Sequence, residues 1–178
     1  MATILDQQNT SHDSPDAMNS ATDRISAAQQ FTPSVSATVN QVILFLAKVG
    51  SPTGNLTVEI WSDTGSNLPN AIIGTGSGNV AESGLSTTPA EITFTGISAV
   101  VSSGTKYWAV LKTTSAVNAS NHITYDTDFS GNPYSGGIMA ISDNVPAWTS
   151  RVSRDMYFKE YYDNTTIITA GGGFFQFL

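Results

Sequence analysis

The sequence predicts an all-β fold: a single jelly-roll-like antiparallel β-sandwich of about eight or nine strands, with an extended N-terminal arm and a C-terminal tail. Short apolar or alternating runs recur along the chain, Gly, Pro, Asn, Asp and Ser clusters separate them, and hardly any window has helical periodicity. Many short strands divided by turn signals specify two packed sheets. At 178 residues the chain is the size of one domain, long enough to bury about 70 % of its unfolded surface without staples. The lack of a repeat of fixed period excludes a solenoid or propeller.

Residues 1–23 are polar, contain His12, Pro15 and Asn19, and read as an arm. Arg24 to Phe31 fits a first strand, although Ser26-Ala27-Ala28-Gln29-Gln30 fits a helical turn equally well. Val42-Ile43-Leu44-Phe45-Leu46 is a continuous apolar run ended by Gly50, Pro52 and Gly54, the pattern of a strand buried on both faces. Leu56 to Trp61 alternates, so Leu56, Val58 and Ile60 face the core and Thr57, Glu59 and Trp61 the other side. Further strands are expected at Ile72–Gly74, Glu91–Ile97, Thr105–Lys112, His122–Tyr125, Gly137–Ile141 and Met156–Tyr161. The sandwich thus spans 24–162 and the tail 163–178.

Composition narrows the function classes. There is no cysteine, hence no disulfide framework, thiolate metal site or cysteine nucleophile. Fourteen acidic against seven basic residues give a net charge of -7, which argues against nucleic acid and anionic lipid as partners. No apolar run approaches the roughly 20 residues of a membrane helix. Met1 to Asn9 has neither a basic n-region nor an apolar h-region, so a chain made in the cytoplasm without general secretory export is expected. Asn-x-Ser/Thr triplets at Asn9, Asn55, Asn118 and Asn164 are then chance occurrences in a chain rich in those residues.

Gln29-Gln30-Phe31-Thr32-Pro33, the stretch Val49-Gly50-Ser51-Pro52-Thr53-Gly54 running on to Trp61, and Gly104-Thr105-Lys106-Tyr107-Trp108-Ala109-Val110-Leu111 together resemble the jelly-roll domain called choice-of-anchor R. Pro133 to Gly137 and Asp155 to Lys159 extend the likeness, which covers residues 22–162. That family occurs in bacterial surface proteins and in bacteriophage structural proteins. The resemblance implies a non-enzymatic recognition or display module related to carbohydrate-binding jelly rolls, with no catalytic residues to carry over. An expected lack of an export signal, sorting motif or membrane anchor moves the reading to the virion side: a capsid-decoration, tail or fibre component docking through its termini. The alternative is a carbohydrate-binding module of a bacterial surface or secreted protein.

Residue by residue, nucleophilic catalysis finds little support, because His12 and His122 lie in unlike contexts and no Gly-x-Ser-x-Gly elbow exists. Glu59, Asp63, Glu82, Glu91, Asp126 and Asp128 are carboxylates, but no spacing selects the pair a glycosidase needs. Asp126, Asp128 and Ser130 with Gly131 open like a calcium loop; the twelfth position is Gly137, so further ligands such as Asp143 are required, and an acidic turn explains the same residues. Trp61, Tyr125, Tyr134 and Trp148 stand at strand ends or in loops, where exposed rings stack on the C–H faces of sugars; Trp108 reads as core. In the tail, Ile167 and Ile168 suit strand addition, and Phe174, Phe175, Phe177 and Leu178 form an apolar plug behind Gly171–Gly173. The plug docks into a virion subunit, a neighbouring copy or its own domain. A homo-oligomer, with a trimer favoured, multiplies such weak contacts.

Overall fold

A computed structural model of the chain describes residues 3–20, 24–131, 134–143 and 147–163. The described residues form two antiparallel sheets from fourteen strand segments: β1 (Thr3–Asn9), β2 (Ser14–Met18), β3 (Arg24–Phe31), β4 (Ala37–Val49), β5 (Asn55–Asp63), β6 (Pro69–Ile72), β7 (Val80–Ala81), β8 (Ala90–Val101), β9 (Tyr107–Thr113), β10 (His122–Asp128), β11 (Met139–Asp143), β12 (Trp148–Arg151), β13 (Asp155–Met156) and β14 (Phe158–Asp163). One 3-10 turn, Glu82–Gly84, interrupts them. The first sheet runs β1-β14-β4-β10-β13, with β8 on β4 and β2 on β10; the second runs β12-β11-β3-β9-β5-β6, with β7 also on β5. This is the jelly-roll-like sandwich that the sequence predicts.

Long β4 organises the first sheet. One edge pairs with β8 from Ala37 to Leu46; the other pairs first with β14, from Thr38 to Leu44, and then with β10, from Leu46 to Val49. Leu56, Val58 and Ile60 are completely buried on the inner face of β5, while Thr57, Glu59 and Trp61 face out. The core contains Leu44, Leu46, Phe94 and Phe158 from the first sheet and Phe31, Leu111 and Ile141 from the second.

The open side of the sandwich is stitched by the main chain of 73–78. Ile73 N and Ser77 N donate to Ile60 O and Val58 O on β5, while Thr75 exchanges both bonds with Ser98 on β8 and Gly78 N donates to Thr95 O. Gly74 permits this passage: its φ is +68°, and a Cβ there would lie 1.9 Å from Ser98 O.

One sequence expectation is corrected and one open choice is settled. The predicted arm contains β1 and β2, which extend the first sheet by pairing Thr3–Asn9 with β14 and Ser14–Met18 with β10. These strands lie at sheet edges and bury few apolar residues, Met18 being the fully buried one, so they carry no alternating signature. Arg24 to Phe31, open to either strand or helix from sequence, is β3 and sits between β9 and β11. The short pieces β7, β12 and β13 complete the excess over nine strands, and the strand expected at Ile72–Gly74 is β6, Pro69–Ile72.

Several carboxyls are buried. Glu160 is 1 % exposed with Oε2 unpartnered, and burial, reinforced by the negative charge of Asp6, pushes its pKa up from 4.5 to about 8. Asp155 is raised too, by burial. Asp128 moves the opposite way, because hydroxyls of Ser11 and Ser130 donate to its carboxylate.

Two outcomes are expected. Val58→Asp places an unpaired carboxylate in the core and should abolish the cooperative melt, whereas Thr57→Asp should cost less than about 1 kcal/mol; equal damage in thermal melts would show that the strand phase is wrong. The unfolded chain ionises Glu160 near 4.5 and the folded chain near 8, so this group removes stability as pH rises through that window, at about 1.4 kcal/mol per pH unit. Urea melts of Glu160→Gln across the window should lack that slope; an unchanged slope would place the titration on another group.

Candidate functional site

The alternation that buries Leu56, Val58 and Ile60 sends Glu59 and Trp61 to the outer face of the second sheet. The pairing register aligns Ser142, Ser26, Lys112 and Thr57 in one row across that face, and Ala140, Ala28, Val110 and Glu59 in the next. A floor of small side chains results. Trp108, Ala28, Val110 and Ala140 are buried there although they point away from the core, because Trp61, Ile138 and Trp148 pack over them.

Trp61 on β5 and Trp148 on β12 are four strand spacings apart, about 19 Å in a flat sheet. Their ring centroids are nevertheless only 6.1 Å apart, at an interplanar angle of 75°. The sheet curls, and the indoles lean towards each other across the small-residue floor. They wall a cleft of about 140 Å³, with Ser26 and Ser142 at its base and Pro69, Asn70 and Lys112 around it.

The polar groups of the cleft differ in their state. Trp61 Nε1 donates to Glu59 Oε2 at 2.8 Å, and Lys112 Nζ lies 3.2 Å from Glu59 Oε1, so Glu59 clamps one wall and holds the neighbouring cation. Trp108 Nε1 donates to Asp63 Oδ2 at 2.8 Å. The Ser142 hydroxyl is buried without a hydrogen-bond partner. Leaving such a group unsatisfied costs about 1–3 kcal/mol, which a ligand oxygen in the cleft would recover. Aromatic walls with one unmet hydroxyl suit a small ring having an apolar face and a polar rim. Sites for whole drug-sized ligands run about 300–1,000 Å³, so this cleft has room for about a single ring.

Among the other expected sugar platforms, Tyr125 is 1 % exposed and donates its hydroxyl to Asp16 Oδ2. Tyr134 is buried edge-on against Phe158, with its hydroxyl donated to Gln7 Oε1 at 2.8 Å. Burial raises both phenol pKa values above their ordinary range. Both tyrosines are core residues whose polar tips have found partners, and neither offers a face to a sugar.

The candidate calcium residues do not form a loop of converging ligands. Asp126 and Asp128 lie within β10. Asp128 Oδ1 accepts from Ser130 N and Oγ, and Oδ2 from Ser11 Oγ; Asp126 Oδ2 is 3.0 Å from His12 Nδ1. Among the described residues no group of three or more His, Cys, Asp or Glu side chains is placed to hold a metal ion. The side chain of Asp143 and all of Ile167, Ile168, Phe174, Phe175, Phe177 and Leu178 lie outside the described residues. Sequence reading missed Ser26 and Ser142; alternation along Arg24–Phe31 would have placed Ser26 beside Ala28, had the strand been distinguished from a helix. No family model matches the chain, and no curated protein matches it.

Proposed function

We propose that this chain is a non-enzymatic recognition and display module. Its jelly-roll-like sandwich presents the Trp61–Trp148 cleft to carbohydrate and is carried on a larger particle, a bacteriophage virion. The observation that carries the recognition half is the pairing of two outward indoles over a buried, unpartnered Ser142 hydroxyl. Ring faces bind the C–H side of a sugar, and the hydroxyl answers one of its oxygens. The described residues lining this cleft include no carboxylate, and Glu59 beneath Trp61 is engaged by Trp61 and Lys112. Paired carboxylates across a scissile bond, which glycoside hydrolysis requires, are not assembled by the lining residues.

The display half is supported by the resemblance to choice-of-anchor R domains and by where the sandwich ends. The described core runs from Met18 to Phe158, and β14 finishes at Asp163, paired on both sides by Thr3 and Thr38. Residues 164–178 therefore follow a strand already flanked within its sheet. In this reading they dock on a virion subunit or on neighbouring copies in a closed ring, a trimer being favoured.

On a printed array of neutral and uronate-containing bacterial polysaccharides, Trp148→Ala should lose at least tenfold in apparent affinity. Ser142→Ala should weaken binding severalfold without lowering the melting temperature, since it removes an unsatisfied hydroxyl. An array on which the wild-type chain binds nothing, or binds independently of Trp148, overturns the recognition half. Deleting Gly171–Leu178 should leave a cooperative melt but a smaller species by light scattering, or a chain released from its particle. Unchanged mass and particle binding, or loss of the fold, overturns docking by the tail.

A further inference from the structure

A second depression lies near the cleft along β3. Ser26 lines the cleft and Gln30, four residues along β3, lines the second depression. Both side chains point outward, about 13 Å apart along the strand. The second depression is open, about 420 Å³, and also bounded by Asn67, Lys106 and the main chain of 135–138. Ile138 relates the two, because it lines the second depression and packs against the same buried Ala28, Trp108, Val110 and Ala140 cluster as the cleft indoles. Ile138 is half-buried, so part of this apolar side chain stays at the surface beside the second depression.

The second depression is built rather than incidental. Gln30 N donates to Ile138 O at 2.8 Å, and Thr32 Oγ1 donates to Gly136 O at 2.9 Å. Gly137 fits only as glycine, since a Cβ there would lie 2.1 Å from Gln30 O. Asn67 is held at φ +57°, rare for a residue with a side chain. Its Oδ1 accepts from Gln30 Nε2 and from Lys106 Nζ, the latter at 2.8 Å.

Lys106 keeps donor capacity there. Gln30 Nε2 is consumed by Asp63 and Asn67, and Asn67 Oδ1 by Gln30 and Lys106. Lys106 Nζ has three hydrogens and uses one on Asn67. Among the described residues no carboxylate lies within ion-pair reach of it, whereas Lys112 and Lys159 are both paired. What remains on offer is an exposed ammonium and the Asn67 side-chain amide, both seeking oxygen acceptors. The net charge of -7 does not forbid an anion, because at physiological salt charges beyond about 8 Å are largely screened and the local donor decides.

Resting on the carbohydrate reading above, we propose that the ligand is an acidic linear polysaccharide rather than an isolated sugar: one ring enters the Trp61–Trp148 cleft, the chain passes over Ile138, and a uronate carboxylate meets Lys106 and Asn67.

The test uses the full chain on the same array, carrying each uronate-containing polysaccharide as mono-, di- and hexasaccharide fragments, beside the methyl-esterified hexasaccharides as neutral counterparts. Hexasaccharides should bind at least tenfold tighter than monosaccharides, and the uronate form several-fold tighter than its ester. Lys106→Gln should erase the preference for uronate over ester. Trp148→Ala should remove binding of both. Equal binding of monosaccharide and hexasaccharide, equal binding of uronate and ester, or a preference that survives Lys106→Gln each overturns the two-subsite proposal. If sugars bind through Trp148 while the proposal fails in one of these ways, the recognition reading stands alone; if nothing binds through Trp148, both fall.

Discussion

The two sheets are held in register by a buried polar junction in the core, between Gln29 on β3 and Asp155 on β13. Gln29 Nε2 donates to Asp155 Oδ1 at 2.8 Å, Met156 N donates to Gln29 Oε1 at 2.7 Å, and Tyr134 N donates to Asp155 Oδ2 at 3.2 Å. Both side chains are completely buried. Hydrophobic packing is non-directional and would tolerate sliding one sheet over the other; these three bonds would not survive a one-residue slip. Removing one partner leaves the other buried and unsatisfied, at about 1–3 kcal/mol or more for a charged group. The junction also anchors the segment entering β11. With Tyr134 fixed, Gly136 and Ile138 meet the end of β3, and β11 continues into Ala140 and Ser142, the floor of the cleft.

How legible each element is in the sequence follows from how local its cause is. β5 reads directly, because Leu56, Val58 and Ile60 alternate with half-buried Thr57, Glu59 and Trp61 and one face is wholly apolar. β3 does not, because its inward side carries Ala27 and Gln29 and its outward side Ala28 and Gln30. Both glutamines are buried with partners that come from elsewhere, Asp155 for the first and Asp63 with Asn67 for the second. Nothing inside the eight residues announces those partners. β1 and β2 are likewise strands by virtue of the edges they meet.

The candidate site divides in the same way. The outward direction of Trp61 is legible from alternation, but its meeting with Trp148 depends on the registers of β5, β9, β3, β11 and β12 together and on the curl of the whole sheet. Tyr125 and Tyr134 mislead because a phenol can be core as easily as surface once its hydroxyl has an acceptor. Asp16 and Gln7, the acceptors, stand in the segment that reads as an arm. The arm and the tyrosine expectations therefore share one cause: when 3–18 joins the sheet, it supplies the partners that allow both rings to be buried.

The outer faces of the two sheets meet the same problem differently. On the first sheet, Phe45 and Tyr157 are 5.0 Å apart, and His12, from the connection between β1 and β2, packs at 4.9 and 5.6 Å from them while pairing with Asp126. Lys159 and Tyr157 both donate to Glu91 at its border. That aromatic surface is covered by the chain itself. On the second sheet no described segment lies over the cleft, and its walls are prepared unequally: Trp61 is fixed by Glu59, whereas Trp148 rides on β12, an edge strand held by β11 alone. A fixed wall reduces the ordering cost of binding, and a wall on an edge strand can adjust to the ring it meets. In the recognition reading proposed above, this asymmetry gives an incoming ring one rigid aromatic face and one adaptable one.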